Sequence, residues 1–323
     1  MRESRDLAIF RDLAPGEESF REAILIGLGK RQKEIPCRFL YDARGSALFE
    51  AICELPEYYP TRTEIGILEE HANEIATLIG PDATLIEFGS GAGRKVKLLL
   101  RALERPKAYV GIEVSREILL RATDDLSLAA QHLQVIAICA DFLKPIVLPR
   151  LLQNGNGRRV AFFPGSSIGN FTPAEATRFL SQCRAMVGSG GGMLIGVDLK
   201  KDSARLDAAY NDAVGVTADF TLNLLERMNR ELDGDFIIAQ FEHHAKYDAV
   251  EGRVAIQIRS LVDQVARVAG RRFKFAAGEG IHTEDSWKYT ISDFQMLARD
   301  AGYRPVAAWT DAANLFSVHY LAT

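Results

Sequence analysis

Between about residues 64 and 200, short runs of aliphatic and β-branched residues alternate with stretches whose apolar positions recur at helical spacing. Thr84–Phe88 (TLIEF), Ala108–Val114 (AYVGIEV), Gln134–Cys139 (QVIAIC), Val160–Phe163 (VAFF) and Met193–Leu199 (MLIGVDL) predict strands. Arg94–Leu103 and Arg116–His132 predict helices between them. FTPAEATRFLSQCRAMV predicts another, with Thr172 to cap it, Pro173 at its first position and Glu175 to complete a capping box. Strands that are apolar throughout and separated by helices predict a parallel sheet covered on both faces, an α/β fold. Near the C-terminus a helix, Ile291–Ala301, stops at Gly302, as a helix end favours. Tyr303–Thr310 and Leu315–Ala322 then predict an antiparallel hairpin on that sheet.

After MLIGVDL, roughly ninety residues pass before the Ile291 helix. Connections in an α/β unit are usually about 2–6 residues. Residues 200–288 therefore form a substructure, with a helical stretch over Asn211–Glu231 and β runs over Phe236–Tyr247, Arg253–Val262 and Arg272–Ala276. Residues 1–62 also fall outside the alternation. The expected division is a sheet domain of 63–199 plus 289–323 and a second, α+β lobe of 1–62 plus 200–288. A small-molecule pocket is expected in the cleft between them.

Composition narrows the function. The 323 residues are 47% hydrophobic and 25% charged, which is globular rather than disordered. A net charge of −4 disfavours a nucleic-acid binder. No run approaches the ~18 apolar residues of a membrane span, and the charged first twenty residues lack the apolar core of a signal peptide. A cytoplasmic protein is expected. Cys37, Cys53, Cys139 and Cys183 are scattered, and none of His71, His132, His243, His244, His282 and His319 stands at ligand spacing. Reduced thiols and no metal are expected.

The chemistry gathers at strand ends. Gly89-Ser-Gly-Ala-Gly93 follows one strand and precedes a helix, where an α/β sheet binds nucleotides. Its spacing is GxGxG, with Arg94 where a dinucleotide site has its third glycine. That favours S-adenosylmethionine (SAM) over NAD or FAD. Glu113 ends the second strand and can accept from ribose hydroxyls. Asp141 and Phe142 end the third and can hold adenine, by hydrogen bond and by ring packing.

LPEYYPTRTE (55–64), IEFGSGAGRK (86–95), FFPGSSIGNF (162–171), YNDAVGVTADFTLNLLERMNREL (210–232) and TEDSWKY (283–289) resemble the histidine Nα-methyltransferases of ergothioneine biosynthesis. The resemblance runs in order from about residue 36 to the C-terminus. It implies a Rossmann-like class I methyltransferase sheet plus a separate substrate-binding lobe. It also implies SAM-dependent trimethylation of the α-amine of L-histidine, giving hercynine, by an enzyme expected to be monomeric. Carried over residue by residue, it implies cofactor contacts at Gly89, Lys95, Glu113, Asp141 and Phe142. It implies substrate contacts at Tyr58, Asn170, Tyr210, Glu284 and Ser286, with Tyr41 and Tyr58 orienting the amine. The chain departs from the family's usual pattern in Glu113, where Asp is commoner, and in the middle of the glycine loop.

Each residue has a plainer reading. Tyr58 and Tyr59 suit a core, Glu284 a solvated loop, Asn170 a turn, and Lys95 a helix face. Two other functions stay open: the same chemistry on tryptophan or a histidine derivative, and a non-catalytic SAM-binding regulator.

Overall fold

The computed structural model describes residues 8–13, 20–89, 91, 93–130, 133–142, 144, 146–149 and 157–323. The strands are β1 (Ala8–Asp12), β2 (Thr84–Phe88), β3 (Ala108–Glu113), β4 (Gln134–Cys139), β5 (Arg159–Phe163) and β6 (Gly192–Asp198). They continue with β7 (Phe241–Asp248), β8 (Arg253–Ser260), β9 (Gln264–Val268), β10 (Arg271–Phe275) and β11 (Gly280–Trp287). Last come β12 (Arg304–Thr310) and β13 (Phe316–Ala322). By its internal contacts the chain divides into two compact units. One is Met1–Pro15, Arg62–Leu199 and Tyr289–Thr323; the other is Gly16–Thr61 and Lys200–Lys288.

The first unit is an eight-stranded sheet in the order β1-β4-β3-β2-β5-β6-β13-β12. Strands β1 to β6 are parallel; β13 and β12 form the antiparallel hairpin. Strands β2 and β6 are buried along their whole length, which is why their sequences are apolar almost throughout. The strand order reverses between β2 and β5, and ligands of such sheets bind at that crevice. Helix Pro173–Val187 begins with the expected capping box: Thr172 Oγ1 accepts from the Glu175 amide, and Glu175 accepts from the Thr172 amide at 3.0 Å. Helix Arg116–Ala129 ends earlier than the sequence predicts, and His132 lies outside the described residues.

The assignment of all of 1–62 to the second lobe is corrected by β1. Ile9 and Phe10 pair in parallel with Ile136 and Ala137, extending the sheet beyond β4. Phe10 packs beside Leu119, Ala137 and Cys139, and the Arg116 guanidinium lies 5.0 Å from its ring centre.

The second unit holds a three-stranded antiparallel sheet, β11-β8-β7, and a separate ribbon of β9 and β10. Helix Val216–Glu231 buries Phe220, Leu224, Leu225 and Met228 in the core that also holds Phe241 and Ile258. The single helix predicted over Asn211–Glu231 is corrected: helices Ser203–Tyr210 and Val216–Glu231 are separated by a turn. Asp212 causes the break. Its carboxylate accepts from the amides of Gly215, Val216 and Thr217 at 2.7–2.9 Å, satisfying the open end of the second helix. Burial would push that carboxyl up, but these bonds outweigh it and hold it below the usual range. Among the described residues, no helix is long and apolar enough to cross a membrane.

The first unit also contains a buried histidine whose titration links stability to pH. His319 on β13 is fully enclosed, packs 4.8 Å from the Phe294 ring centre, and meets Ser317 Oγ at 2.9 Å. Burial holds its imidazole near pKa 4. The unfolded chain then binds the extra proton first as pH falls from about 6.5, the ordinary histidine value. Its contribution to stability is present above 6.5 and falls by about 1.4 kcal/mol per pH unit down to about 4. Chemical denaturation at pH 7.0 and 5.0 should show this slope, and His319→Leu should flatten it.

Candidate active site

The residues expected to bind the cofactor lie in the first unit: Gly89, Glu113, and Asp141 with Phe142 at the carboxyl ends of β2, β3 and β4, and Lys95 in the helix Arg94–Ala102. Gly89, Gly91 and Gly93 all have positive φ (72°, 38° and 68°), which side-chain-bearing residues rarely adopt. A Cβ built on Gly89 would meet no atom within 4 Å, so conformation rather than crowding demands the glycine there. Gly93 is the N-cap of helix Arg94–Ala102, and helix N-termini of this kind favour anionic groups. The amide of Gly89 donates to Ile112 O at 2.9 Å, tying the loop to the end of β3.

Glu113 is the last residue of β3. Its Oε1 accepts from the amides of Val114 (2.8 Å) and Ser115 (3.1 Å). Burial raises its pKa against the opposing pull of these amides and that of Gly91. The carboxyl therefore anchors the glycine loop as well as ending β3.

Phe142 extends an aromatic cluster beneath this surface. Its ring centre lies 6.1 Å from Phe88, 5.9 Å from Phe163 and 5.9 Å from Phe179, and it remains partly exposed. Asp141 starts the turn there, its carbonyl accepting from the Lys144 amide at 3.0 Å.

Lys95 is not an ordinary helix-face charge. Its ammonium bonds the carboxylate of buried Glu64, whose Oε2 also accepts from the Gly165 amide at 2.8 Å. This pins the PGSSIGN loop, where Gly165 and Ser166 both have positive φ and Ser166 Oγ accepts from the Asp198 amide at 2.9 Å. Asn170 closes the 3-10 turn Ser167–Asn170 of that loop.

Glu87 on β2 gives no signal in the sequence. It is buried, takes the Tyr109 hydroxyl at 2.6 Å, and burial pushes its pKa up to about 8.

The residues expected to bind substrate lie in the second unit, with Asn170 the exception. Tyr41 joins the 3-10 turn Cys37–Leu40 to helix Ala43–Glu54. Asp42 caps that helix through the Gly45 amide at 2.8 Å and is held by Asn223 at 2.8 Å and Arg230 at 2.6 Å. Gly45 is required there, since a Cβ would come within 1.8 Å of Leu40 O. The clamp fixes Tyr41 between Phe49 (5.6 Å between ring centres) and Phe220 (5.3 Å). Tyr58 continues the wall, edge-on to Phe49 at 6.3 Å and to Tyr210 at 6.3 Å.

Glu284 is on strand β11, not in a loop. The β11–β8 register skips Thr283 between His282 and Glu284, a bulge that re-aims the side chains beyond it. Glu284 and Ser286, two apart after the bulge, share one face of the strand. The Glu284 carboxylate is close enough to matter to Tyr41 and Cys37. Burial first, and then Glu284, raise the Tyr41 phenol well above its usual pKa and the Cys37 thiol to about 12. Tyr41 therefore keeps its proton near neutrality and can orient an amine, but it is not a phenolate base.

Ser286 and Tyr210 meet directly, 2.7 Å between hydroxyl oxygens. Lys288, 1% exposed, donates to both at 2.8 Å. Sequence reasoning passes over Lys288 because a lone lysine is ordinarily a solvated charge; its place in the TEDSWKY string is the only sequence signal. Among the described residues, no group of three or more His, Cys, Asp or Glu side chains could hold a metal ion.

Comparison with known proteins bears on both units. Residues 20–323 match the family model described as histidine-specific methyltransferase, SAM-dependent. The chain is 39% identical over 307 residues to a histidine N-alpha-methyltransferase of Mycolicibacterium smegmatis, covering 93% of this chain and 94% of that one. It is 36% identical over 313 residues to the histidine N-alpha-methyltransferase of Mycobacterium tuberculosis, covering 95% and 96%. It is 35% identical over 300 residues to ergothioneine biosynthesis protein 1 of Neurospora crassa, covering 90% of this chain but 33% of that longer protein. The matched region takes in the glycine loop of one unit and the bulged Glu284 strand of the other, and with identities this high across nearly the whole length, the chain belongs to the SAM-dependent, histidine-specific methyltransferase family.

Proposed function

We propose that the protein methylates the α-amine of L-histidine three times, giving the betaine hercynine for ergothioneine biosynthesis. The observation that carries the choice of histidine is Glu284, re-aimed by its bulge onto one face with Ser286 and acting on Tyr41. A partly buried carboxylate there can accept from a substrate donor. An imidazole N–H supplies one, and Ser286 serves the second ring nitrogen.

SAM, when bound, supplies an electrophilic methyl on a sulfonium. The Gly89 loop, Glu113, Asp141 and Phe142 would hold it, with Lys95 contributing the ammonium donors that Glu64 leaves over. The remaining work belongs to the substrate residues. The α-amine of a free amino acid is mostly protonated near neutrality and must react as the free base. Tyr41 and Tyr58 orient it, and alignment then does most of the catalysis. Each added methyl keeps or makes a cation, which the Tyr41, Phe49 and Tyr58 faces stabilise. Tyr210 receives the carboxylate. The same reading takes the enzyme as a cytoplasmic monomer that works without a metal.

Calorimetry with SAM and with histidine, followed by mass detection of the products, tests this. Mono-, di- and trimethylhistidine should appear in succession. Binding of SAM with no methyl on histidine would overturn the proposal.

A further inference from the structure

Glu64 lies in helix Pro60–Glu70, is 1% exposed, and three elements meet its carboxylate. Oε2 takes the Lys95 ammonium from the first turn of helix Arg94–Ala102, and the Gly165 amide at 2.8 Å from the loop after β5. Oε1 lies against Gly196 of β6, where a Cβ would come within 2.1 Å of it. That oxygen has no hydrogen-bond partner among the described residues. Stability does not account for this arrangement. Desolvating two charges offsets most of what their pairing gains, and apolar residues of the same volume often serve as well. A buried acceptor left without a donor adds a further cost. What the pair supplies is direction. A lysine ammonium carries three N–H groups on a four-carbon stem that is otherwise free to turn. Glu64 consumes one of them and fixes the stem, while the Lys95 side chain keeps 16% of its surface open. SAM carries a single anionic group, the carboxylate of its methionyl end.

We infer that Glu64 is a positioning residue that aims the Lys95 ammonium at the methionyl carboxylate of SAM, and so makes the enzyme select a methyl donor that has this carboxylate. The inference rests on the proposed contact of Lys95 with SAM. It adds which end of the cofactor Lys95 reads and what holds it there. Glu64 acts only through Lys95, since its own charge repels a carboxylate. The pair therefore works by geometry rather than by net charge. Losing Glu64 frees the charge of Lys95 but releases its stem, and the account takes the second effect as the larger.

The test compares the Kd of SAM with that of decarboxylated SAM, which keeps the sulfonium, the adenosine and the amine but has no carboxylate. Calorimetry reads both without histidine, so the result does not depend on which amino acid is methylated. Wild type should bind SAM about tenfold or more tighter than decarboxylated SAM. Glu64→Gln keeps the size of the side chain and loses its charge. In that variant SAM affinity should fall about tenfold or more, and affinity for decarboxylated SAM far less, so the preference narrows. The double variant Glu64→Gln/Lys95→Met leaves neither charge unpaired and should narrow the preference at least as far. Thermal midpoints of both variants establish that they fold. An equal loss for both ligands in Glu64→Gln would show the glutamate to be only a packing element. SAM binding as tight as in wild type, or tighter, would show that Lys95 needs no aiming. Absence of a preference in wild type would show that Lys95 does not read the carboxylate. Each of these overturns the inference, whereas failure of wild type to bind SAM at all would remove the proposed cofactor site.

Discussion

Glu284→Ala should lower kcat/KM for histidine by about 100-fold or more while leaving SAM affinity unchanged. A site built to accept a ring N–H discriminates sharply, because removing the acceptor leaves the polar partner unsatisfied. The bulge at Thr283 is set by backbone pairing with β8 and should survive the substitution. The change also removes a partly buried charge and enlarges the space beside Tyr41. Larger, less polar amino acids such as tryptophan should therefore gain relative to histidine. A second consequence is electrostatic. Glu284 is one of the causes that raise the Tyr41 phenol and the Cys37 thiol. Without it, thiol-reagent titration should find the Cys37 pKa below the value of about 12 in wild type. Undiminished histidine turnover in the variant would mean that Glu284 does not touch the ring.

Glu113→Ala should weaken SAM binding by about tenfold or more. Hydrogen bonds to a charged group are worth roughly 1.5–3 kcal/mol, and every 1.4 kcal/mol is about tenfold. The carboxylate has two duties: accepting from the ribose, as proposed, and holding the loop through the amides of Val114, Ser115 and Gly91. Both are lost together. Glu113→Gln keeps one acceptor and should fall between. Calorimetry with SAM reads the effect, and a thermal midpoint separates it from unfolding. Equal affinity in wild type and Glu113→Ala would mean that SAM does not use the end of β3.

Much of the fold is legible in the sequence for a physical reason. Strands β2 to β6 are buried on both faces, so their apolar runs stand out, and the helix from Pro173 carries its own start signal in Thr172 and Glu175. The misses have physical causes too. β1 is an edge strand with Arg11 and Asp12 exposed, so its composition reads as a charged tail. β9 is short, and its turn into β10 is signalled mainly by Gly270, whose φ of 80° accompanies 51° at Ala269. β11 carries His282, Glu284 and Asp285, and a strand made this polar reads as a loop. The break at Asp212 depends on a carboxylate folding back over three amides, which periodicity does not register.

The candidate site divides in the same way. The GxGxG spacing shows local backbone need, so Gly89 and its neighbours are readable directly. Tyr41, Tyr58, Asn170, Tyr210, Glu284 and Ser286 stand out only through strings shared with a family, because their roles depend on residues far along the chain. Lys288 and Glu64 are missed because burial makes them unusual, and burial is a tertiary property.

Methyl transfer from SAM to the α-amine of histidine can be tested without any substitution. The wild-type protein is given SAM and an equimolar mixture of the twenty amino acids, and each amino acid is followed by mass. Histidine alone should gain methyls early in the reaction, up to three, with fragmentation placing them all on the α-nitrogen. Methyls arriving first on another amino acid, or on an imidazole nitrogen, would contradict the proposed function.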